Sequence, residues 1–367
     1  MTQELARERL HPIVQAENVG TLSMDDLVAL TRQEIEEFLP DGLYRVDPRN
    51  GDRILYHSSR ALRPQDSVPE EVAAIPEREC VICQGDTTGV IDVAELSEGF
   101  TFINKNLYPV LYPFEREGLA SGLHLLQWTS SQHDKDWHNM GLADRVVVLE
   151  RLAALEKTLL RGARRFSSSD GEGRTGAVVI IKNYGHLVGA SLIHGHQQIA
   201  ISSVMPRHFE DNARFEQERG ETFADYMLRQ TPPELVVADY GPAVLLVPAF
   251  MRRPYAMMLV VRRTSNRYLH NLDGDDLAAV ADGWHDGIRA IREVMPRTGR
   301  EIAYNLITNN GPGAGLYFEF LPYTQEIGGV EQLGLFVCQE LPERAAATLQ
   351  HVARCMLQVA RYRFEEC

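Results

Sequence analysis

Residues 183–198 read NYGHLVGASLIHGHQQ and lie between two short apolar runs rich in β-branched residues, which favour strands. The stretch carries Gly185 and Gly189, then His194 and His196 on either side of a third glycine, with Gln198 two residues further on. If its end continues as a strand, alternation places these three side chains on one face of a sheet. Two imidazoles and a carboxamide on one face indicate a chemical site.

Length and composition predict a globular protein of one large or two ordinary domains, since 44% of the 367 residues are hydrophobic. The longest apolar runs are strand-sized and the first residues lack a signal-peptide core, so we expect a cytoplasmic protein without a membrane partner. A formal net charge of −14 argues against general nucleic-acid binding, which depends on Lys and Arg neutralising phosphates. Small phosphorylated ligands stay compatible, because a few arginines suffice for them.

A close pair of cysteines, Cys80 and Cys83, predicts a metal site. The C-x-x-C spacing suits two of the ligands of tetrahedral zinc, and no thioredoxin-like pattern surrounds it. His133 follows a strand-like run, in a loop, where a solvent-facing histidine is the ordinary interpretation. Together with His194 or His196 it would complete a Cys2His2 set.

Periodicity outlines the scaffold. We predict helices at 24–38, 142–165, 206–230 (interrupted at Gly220) and 273–294 and from 342, a hairpin around the turn signal at 48–51, and strands at 100–111, 123–128, 177–181, 199–203, 235–247, 255–261, 302–307, 316–321 and 333–338. After the hairpin, Arg60 and Arg63 are spaced to reach one anionic group, although a solvated edge is the ordinary interpretation. Asn106, at a strand end, could hold a ribose hydroxyl or simply form a turn.

The second half of the chain echoes the first. TSSQHDKDWHNMGLAD at 129–144 resembles TSNRYLHNLDGDD at 264–276, and both segments follow a strand and precede a helix. The offset of roughly 130 residues suits a duplicated domain, with chance similarity of short segments as the rival explanation. Where the first copy has His194 and His196, the second has Tyr317 and Glu319. We therefore predict an α+β fold of two tandem units, each an antiparallel sheet with helices on one side.

The spacing N-x-G-x-x-x-G-x-S-x-x-H-x-H-x-Q over residues 183–198 resembles the active-site segment of the galactose-1-phosphate uridylyltransferase family, within the histidine triad superfamily. The resemblance covers 43–205 well and the second half loosely. Combined with the change to strand-like sequence after residue 40 and the charged helical segment closed at 231–233, it predicts an N-terminal helical extension at 1–40, a catalytic histidine-triad-like domain at 41–207, a helical linker at 208–234 and a second, degenerate domain at 235–367. It also implies a single Zn2+ held by Cys80, Cys83, His133 and His194.

The resemblance implies a ping-pong transfer, in which His196 takes a nucleoside monophosphate from a nucleoside-diphosphate sugar and passes it to a sugar 1-phosphate. Gln198 and Ser191 would stabilise the charge that develops on the phosphoryl oxygens. The implied substrate-binding residues are Arg60, Arg63, Asn106, Asn183, Gly189, Gln339 and Glu340. The family also implies a homodimer whose acceptor-sugar contacts cross the interface.

Several positions depart from the uridylyltransferase pattern. Asn106-Leu107-Tyr108 and Gly189-Ala190-Ser191 look more like the ADP-glucose phosphorylase branch, which leaves the base open. Thr264, Tyr317 and Glu319 stand where some members have second-metal ligands, so we expect no second metal site. An ADP-sugar or dinucleotide phosphorylase or hydrolase using the same histidine is the alternative. A non-catalytic, zinc-stabilised nucleotide-binding module is disfavoured, since a binder has no need for His196 and Gln198 together.

Overall fold

The structure, a computed structural model, describes residues 4–10, 18–32, 45–46, 53–54, 80–114, 120–166 and 176–361, with only the backbone at 45–46, 53–54 and 356–361. The strands of this part are β1 Arg45–Val46, β2 Arg53–Ile54, β3 Val90–Glu95, β4 Phe100–Lys105, β5 Gly122–Trp128, β6 Ala177–Tyr184, β7 His196–Ser202, β8 Val236–Asp239, β9 Ala243–Leu246, β10 Met257–Val261, β11 Tyr304–Asn309 and β12 Tyr317–Pro322. Its α-helices are α1 Met24–Arg32, α2 Leu142–Arg161, α3 Arg207–Arg219, α4 Phe223–Gln230, α5 Gly274–Arg297, α6 Gly329–Gln332 and α7 Pro342–Arg361.

Ten of these strands form one antiparallel sheet in the order β3-β4-β5-β7-β6-β11-β12-β10-β9-β8. Each half contains five strands, and counted from the outer edge both halves have the same order: first, second, third, fifth, fourth. The two halves join where β6 pairs with β11, with Ile181 opposite Ile307. The predicted α+β fold of two tandem antiparallel units is confirmed, and the units share one continuous sheet. The exact domain boundaries stay a prediction.

The main core lies on one face of this sheet, under the long helices α2 and α5, which also contact each other. Alternate strand residues such as Leu125 and Ile201 pack there against Leu152 and its helical neighbours. Burying each such side chain contributes about 2 kcal/mol. Alternation turns the intervening residues, among them His196 and Gln198, to the opposite face.

The opposite face differs between the two halves. Over the second half, α4 places Ala224 and Met227 against Met258 and Val260 of β10. Over the first half, the same face packs aromatic residues such as Trp128 beside the two cysteines and carries the cleft described below. Within the described part of the chain, no helix combines the length and apolarity needed to cross a membrane.

Most predicted elements are present with shifted ends. The helix predicted at 206–230 breaks at Gly220, whose φ of +72° ends α3 in the left-handed region. Ser23 and Asp26 bond reciprocally at the start of α1. The strand predicted at 333–338 is wrong: Gly334 has φ +88°, and residues of this segment such as Leu333 lie exposed without a partner strand.

Some predictions fall on residues that the structure leaves out. Arg60 and Arg63, the turn at 48–51 and residues 33–38 of the first helix all lie outside the described ranges. The strands β1 and β2 on either side of that turn pair antiparallel, with Arg45 opposite Ile54, as a hairpin requires.

Candidate active site and metal centre

A cleft of about 220 Å³ lies on the face of β5 and β7 that the long helices leave uncovered. One wall is the turn between the two cysteines, and another is the loop that precedes His194. Its floor is formed by strand residues, including Leu126, Trp128, His196 and Gln198. The cleft therefore combines apolar walls with a few convergent polar groups, as small-molecule sites commonly do.

The predicted metal ligands come together behind one end of the cleft. The Sγ atoms of Cys80 and Cys83 lie 3.7 and 3.5 Å from Nδ1 of His194, and Cys83 Sγ lies 3.6 Å from Nδ1 of His133. The four ligand atoms all lie within 4.8 Å of one another. Tetrahedral zinc, with bonds of about 2.3 Å to sulfur and 2.0–2.1 Å to nitrogen, separates such ligands by about 3.6 Å. The cluster has the size to hold one metal ion.

Hydrogen bonds orient these ligands. His194 donates from Nε2 to the carbonyl oxygen of Ser130 at 2.8 Å, so the lone pair of Nδ1 faces the thiols. Hydrogen bonding with Cys83, and then with the two histidines, lowers the pKa of Cys80 well below the ordinary thiol range. Since the thiolate is the metal-binding form, the charge state of the cluster also fits a cation.

His196 begins β7 and faces the cleft. Its Nδ1–H donates to the carbonyl oxygen of His194 at 2.8 Å, which leaves the lone pair on Nε2. The imidazole is 7% exposed and packs on Trp128 with 4.9 Å between ring centroids. Burial lowers the pKa of His196 to about 4. The side chain is therefore a neutral imidazole at physiological pH, the form that can act as a nucleophile.

The alternation expected for the two histidines is corrected by this geometry. His194 lies outside the strand, two residues before it, since β7 starts at His196. Its ring turns to the cysteines because both its Nε2 and its carbonyl oxygen are engaged. Only His196 and Gln198 share the cleft face, so the two histidines have separate positions and separate partners.

Other predicted site residues divide into two groups. Ser191, Gly189 and Asn106 line the cleft. Asn106 also forms a turn, because its Oδ1 accepts a hydrogen bond from the backbone N–H of Tyr108 at 2.9 Å. Gly189 has φ +84°, a left-handed conformation that favours glycine.

The remaining described residues of the predicted site are not among those that line the cleft: Asn183, Gln339 and Glu340. The Oδ1 of Asn183 accepts a hydrogen bond from Asn305 at the seam between the two half-sheets, at 2.8 Å. Gln339 donates its backbone N–H to Gln325, beyond the exposed segment that follows α6.

A buried ion pair beneath the histidines was missed from the sequence. Lys182 Nζ lies 2.8 Å from the Asp136 carboxylate and 3.4 Å from the carbonyl oxygen of His196. Burial, the largest single influence, would raise the pKa of Asp136, but the charge and hydrogen bond of Lys182 together with the backbone N–H of Trp137 outweigh it, and the pKa is lowered. A Cβ on Gly195 would lie 2.6 Å from the Asp136 carboxyl carbon, so only glycine fits there. The available signal was a lysine within an apolar strand, which requires a buried partner.

Comparison with solved structures shows that this chain has the uridylyltransferase fold. A uridylyltransferase structure aligns with a TM-score of 0.67 at 20% identity, over 86% of this chain and 100% of that one. Two structures from Arabidopsis thaliana, a galt-like protein and an ADP-glucose phosphorylase with bound ADP-glucose, give TM-scores of 0.61 and 0.60 at 16% and 17% identity, each over 85% of this chain and 98% of theirs. No family model and no curated protein matches the sequence. The family resemblance in the sequence is thus confirmed as a shared fold.

Proposed function

We propose that this chain is a nucleotidylyltransferase of the galactose-1-phosphate uridylyltransferase type, working through a nucleotidyl-histidine intermediate. The observation that carries the proposal is the hydrogen bond from His196 Nδ1 to the His194 carbonyl oxygen, which holds an Nε2 lone pair in a cleft. Nε2 attacks the α-phosphorus of a nucleoside-diphosphate sugar, the bond to the β-phosphate oxygen breaks, and sugar 1-phosphate leaves with the electron pair. A phosphate oxygen of a second sugar 1-phosphate then attacks the same phosphorus and the P–N bond breaks.

The phosphoryl oxygens gain charge in both steps and need hydrogen-bond donors. Gln198 and Ser191 supply an amide and a hydroxyl from the cleft wall. Arg60 and Arg63 are proposed to add bidentate contacts to the anionic groups. The metal is proposed to be zinc, because two thiolates and two imidazoles at these separations are its preferred set. Its role would be structural: through His194 it would fix the backbone beside His196.

Labelling tests the covalent step. Wild-type protein incubated with UDP-, ADP- or GDP-glucose carrying α-³²P should become labelled with at least one of them, and the label should be acid-labile. His196→Ala should remove the label, whereas His186→Ala, in the short 3-10 turn before the site, should keep it because His186 instead pairs with Glu301. No label with any nucleotide, or label retained in His196→Ala, would exclude the intermediate.

A phosphorylase is the second candidate, and the ADP-glucose phosphorylase neighbour favours it together with the Gly189-Ala190-Ser191 sequence. Here inorganic phosphate attacks the nucleotidyl-histidine and releases a nucleoside diphosphate. Chasing the labelled enzyme separates the acceptors. Glucose 1-phosphate only reverses the labelling step in either case and serves as the control. A different sugar 1-phosphate, such as galactose 1-phosphate, should give a new labelled nucleotide-sugar if the chain is a transferase, phosphate should give labelled diphosphate if it is a phosphorylase, and water alone gives the monophosphate.

The active form is proposed to be a homodimer. The support is an exposed apolar segment, in which Leu333, Leu335, Val337 and Leu341 have 89%, 67%, 57% and 56% of their surface exposed. Exposed apolar patches of this kind mark interaction surfaces. Gln339 and Glu340 lie in the same segment, so a partner chain could bring them to the acceptor sugar. Sedimentation should show a dimer that Leu333→Asp with Leu335→Asp converts to monomer.

A further inference from the structure

His124 lies beside the proposed site but outside the cleft lining. It belongs to β5, which pairs with β7 so that Leu126 faces Gln198 and His124 faces Ala200. His124 and Gln198 are therefore diagonal neighbours on one face of the sheet, a separation that long side chains can bridge. The imidazole is buried, with 4% of its surface exposed, and its Nε2 lies 3.1 Å from Oε1 of Gln198.

The backbone fixes which nitrogen of His124 carries the proton. The N–H of Val110 points at Nδ1 from 3.3 Å, and because an N–H can only donate, Nδ1 must be the acceptor. The proton of the neutral ring is then on Nε2, which donates to the carboxamide oxygen of Gln198. The NH2 group of Asn106 lies 3.3 Å from both ring nitrogens; because it can only donate, its hydrogen bond goes to Nδ1 and not to the protonated Nε2.

This arrangement decides which end of the Gln198 carboxamide meets the substrate. A free glutamine has two amide orientations, one presenting NH2 and the other presenting oxygen. An oxygen facing the α-phosphate would repel it, whereas NH2 donates to it. With Oε1 held by His124, the NH2 group is turned away from His124, and Gln198 lines the cleft.

We propose that His124 is a positioning residue for the nucleotidyl transfer: it locks Gln198 in the orientation that donates to the phosphoryl oxygens. The inference rests on the proposed function, since Gln198 matters only if a phosphoryl group reaches His196. His124 itself does not touch the substrate. Its contribution is preorganisation, because the donor is aimed before charge develops. Losing one such donor typically lowers kcat by about 10²–10³-fold, and losing its lock should cost part of that factor.

A double-mutant cycle tests the lock through the rate of His196 labelling in a single turnover. Gln198→Ala should slow labelling about 100-fold, and His124→Leu, which removes the donor but fills the space, about 10- to 50-fold with KM changed less than about threefold. The double variant should be no slower than Gln198→Ala alone. His124→Gln places an N–H near the position of Nε2 and should recover most of the rate.

Additive losses in the double variant, an unchanged rate in His124→Leu, or no recovery in His124→Gln would each overturn the proposal. Metal content and melting temperature should stay at wild-type values in all four variants; a loss of either that parallels the rate would show a merely structural role. Long-range ¹H–¹⁵N spectra of the wild-type protein test the lock without any activity: His124 should be protonated on Nε2, and protonation on Nδ1 would refute it. If wild-type protein is never labelled, the proposed function fails and the catalytic role of His124 with it, whatever the tautomer.

Discussion

The two halves of the sheet place different residues at the same point of the same topology. In the first half β7 presents His196 to a cleft. In the second half the matching strand β12 begins with Tyr317, as β7 begins with His196, and Tyr317 donates to Asn212 of α3 at 3.0 Å. Glu319 takes the place of Gln198, because Ile307 pairs with Glu319 as Ile181 pairs with Gln198, and it accepts hydrogen bonds from Asn309 at 2.9 Å and from His208 of α3 at 3.1 Å. This register corrects the alignment expected from the sequence, which set Glu319 against His196. The difference teaches that the fold supplies a position, and the segment lying over that face decides whether a ligand can reach it.

Electrostatics separates the halves in the same way. Burial keeps His196 neutral by lowering its pKa to about 4. Burial, the largest single influence, would raise the pKa of Glu319, yet the hydrogen bond and charge of His208 together with the hydrogen bond from Asn309 outweigh it, and the pKa is lowered. The hydrogen bond with Glu319 raises the pKa of His208. The first half therefore offers an uncharged nucleophile. In the second half the charges of Glu319 and His208 neutralise each other, so this pair does not attract a phosphate.

Exchanging His196 and Tyr317 is the strongest way to break this comparison. His196→Tyr should lower labelling by about 10⁴-fold or more, because the imidazole nucleophile is lost. Tyr317→His should add no second label, since α3 occupies the space above that strand through His208 and Asn212. Intact-mass measurement of the labelled protein counts the groups: one on Tyr317→His supports the comparison, and two would refute it.

Removing the metal ligands should produce the next largest effect. Cys80→Ser removes one of the four ligands of the cluster that includes His194, so we expect the metal content to fall from one ion per chain to none. Metal sites couple directly to folding, and a loss of about 3 kcal/mol corresponds to roughly 4 °C in Tm for a chain of this size. Cys338→Ser, on a half-buried cysteine elsewhere, is the matched control and should change neither quantity. Equal melting temperatures for Cys80→Ser and wild type would contradict a structural metal.

The buried ion pair of Lys182 and Asp136 can be compared with the equivalent position in the second half. Lys182 of β6 pairs with Asp136, whereas the echoing residue of β11 is Thr308, whose Oγ1 is buried with no hydrogen-bond partner among the described residues. Lys182→Met strands a buried carboxylate and should cost about 3–5 kcal/mol. Thr308→Val removes only an unmatched hydroxyl and should change stability by less than about 0.5 kcal/mol. Urea unfolding monitored by fluorescence gives both values, and a Lys182→Met loss below that of Thr308→Val would exclude the role given to the pair.

The sequence predicted the scaffold well where periodicity and caps agreed. The helix that became α7 starts at Pro342, and the predicted break at Gly220 separates α3 from α4. The apolar run at 333–338 was wrongly predicted as a strand, because apolarity alone does not provide a neighbouring strand to pair with. Strand β3 went unrecognised, since its sequence VIDVAE mixes Asp92 and Glu95 into an apolar pattern.

At the site, spacing recovered individual residues better than their relations. The cluster of Cys80, Cys83, His133 and His194 forms as the resemblance implied. His124 was overlooked because a single sequence gives the face of a strand but not the register of its neighbour, and the contact with Gln198 exists only through that register. The partner of Lys182 was hidden for the same reason, since Asp136 lies in a loop far from it along the chain.

The smallest expected effect is a pH dependence of stability that arises from His208 and Glu319 in the second half. His208 has a raised pKa, so the stability it contributes is present below its unfolded value near 6.5 and is lost as pH rises through the folded value. Glu319 has a lowered pKa, so its contribution is present above its unfolded value and is lost as pH falls through the folded value. The pair therefore stabilises the second half between these two folded values, and the effect is modest because His208 is half-exposed. Glu319→Gln should bring the His208 titration, followed by NMR, back toward 6.5 and lower Tm by a degree or two at pH 6 but not at pH 9. A His208 titration that does not move would show that Glu319 is not its partner and would refute the ion pair described for the second half.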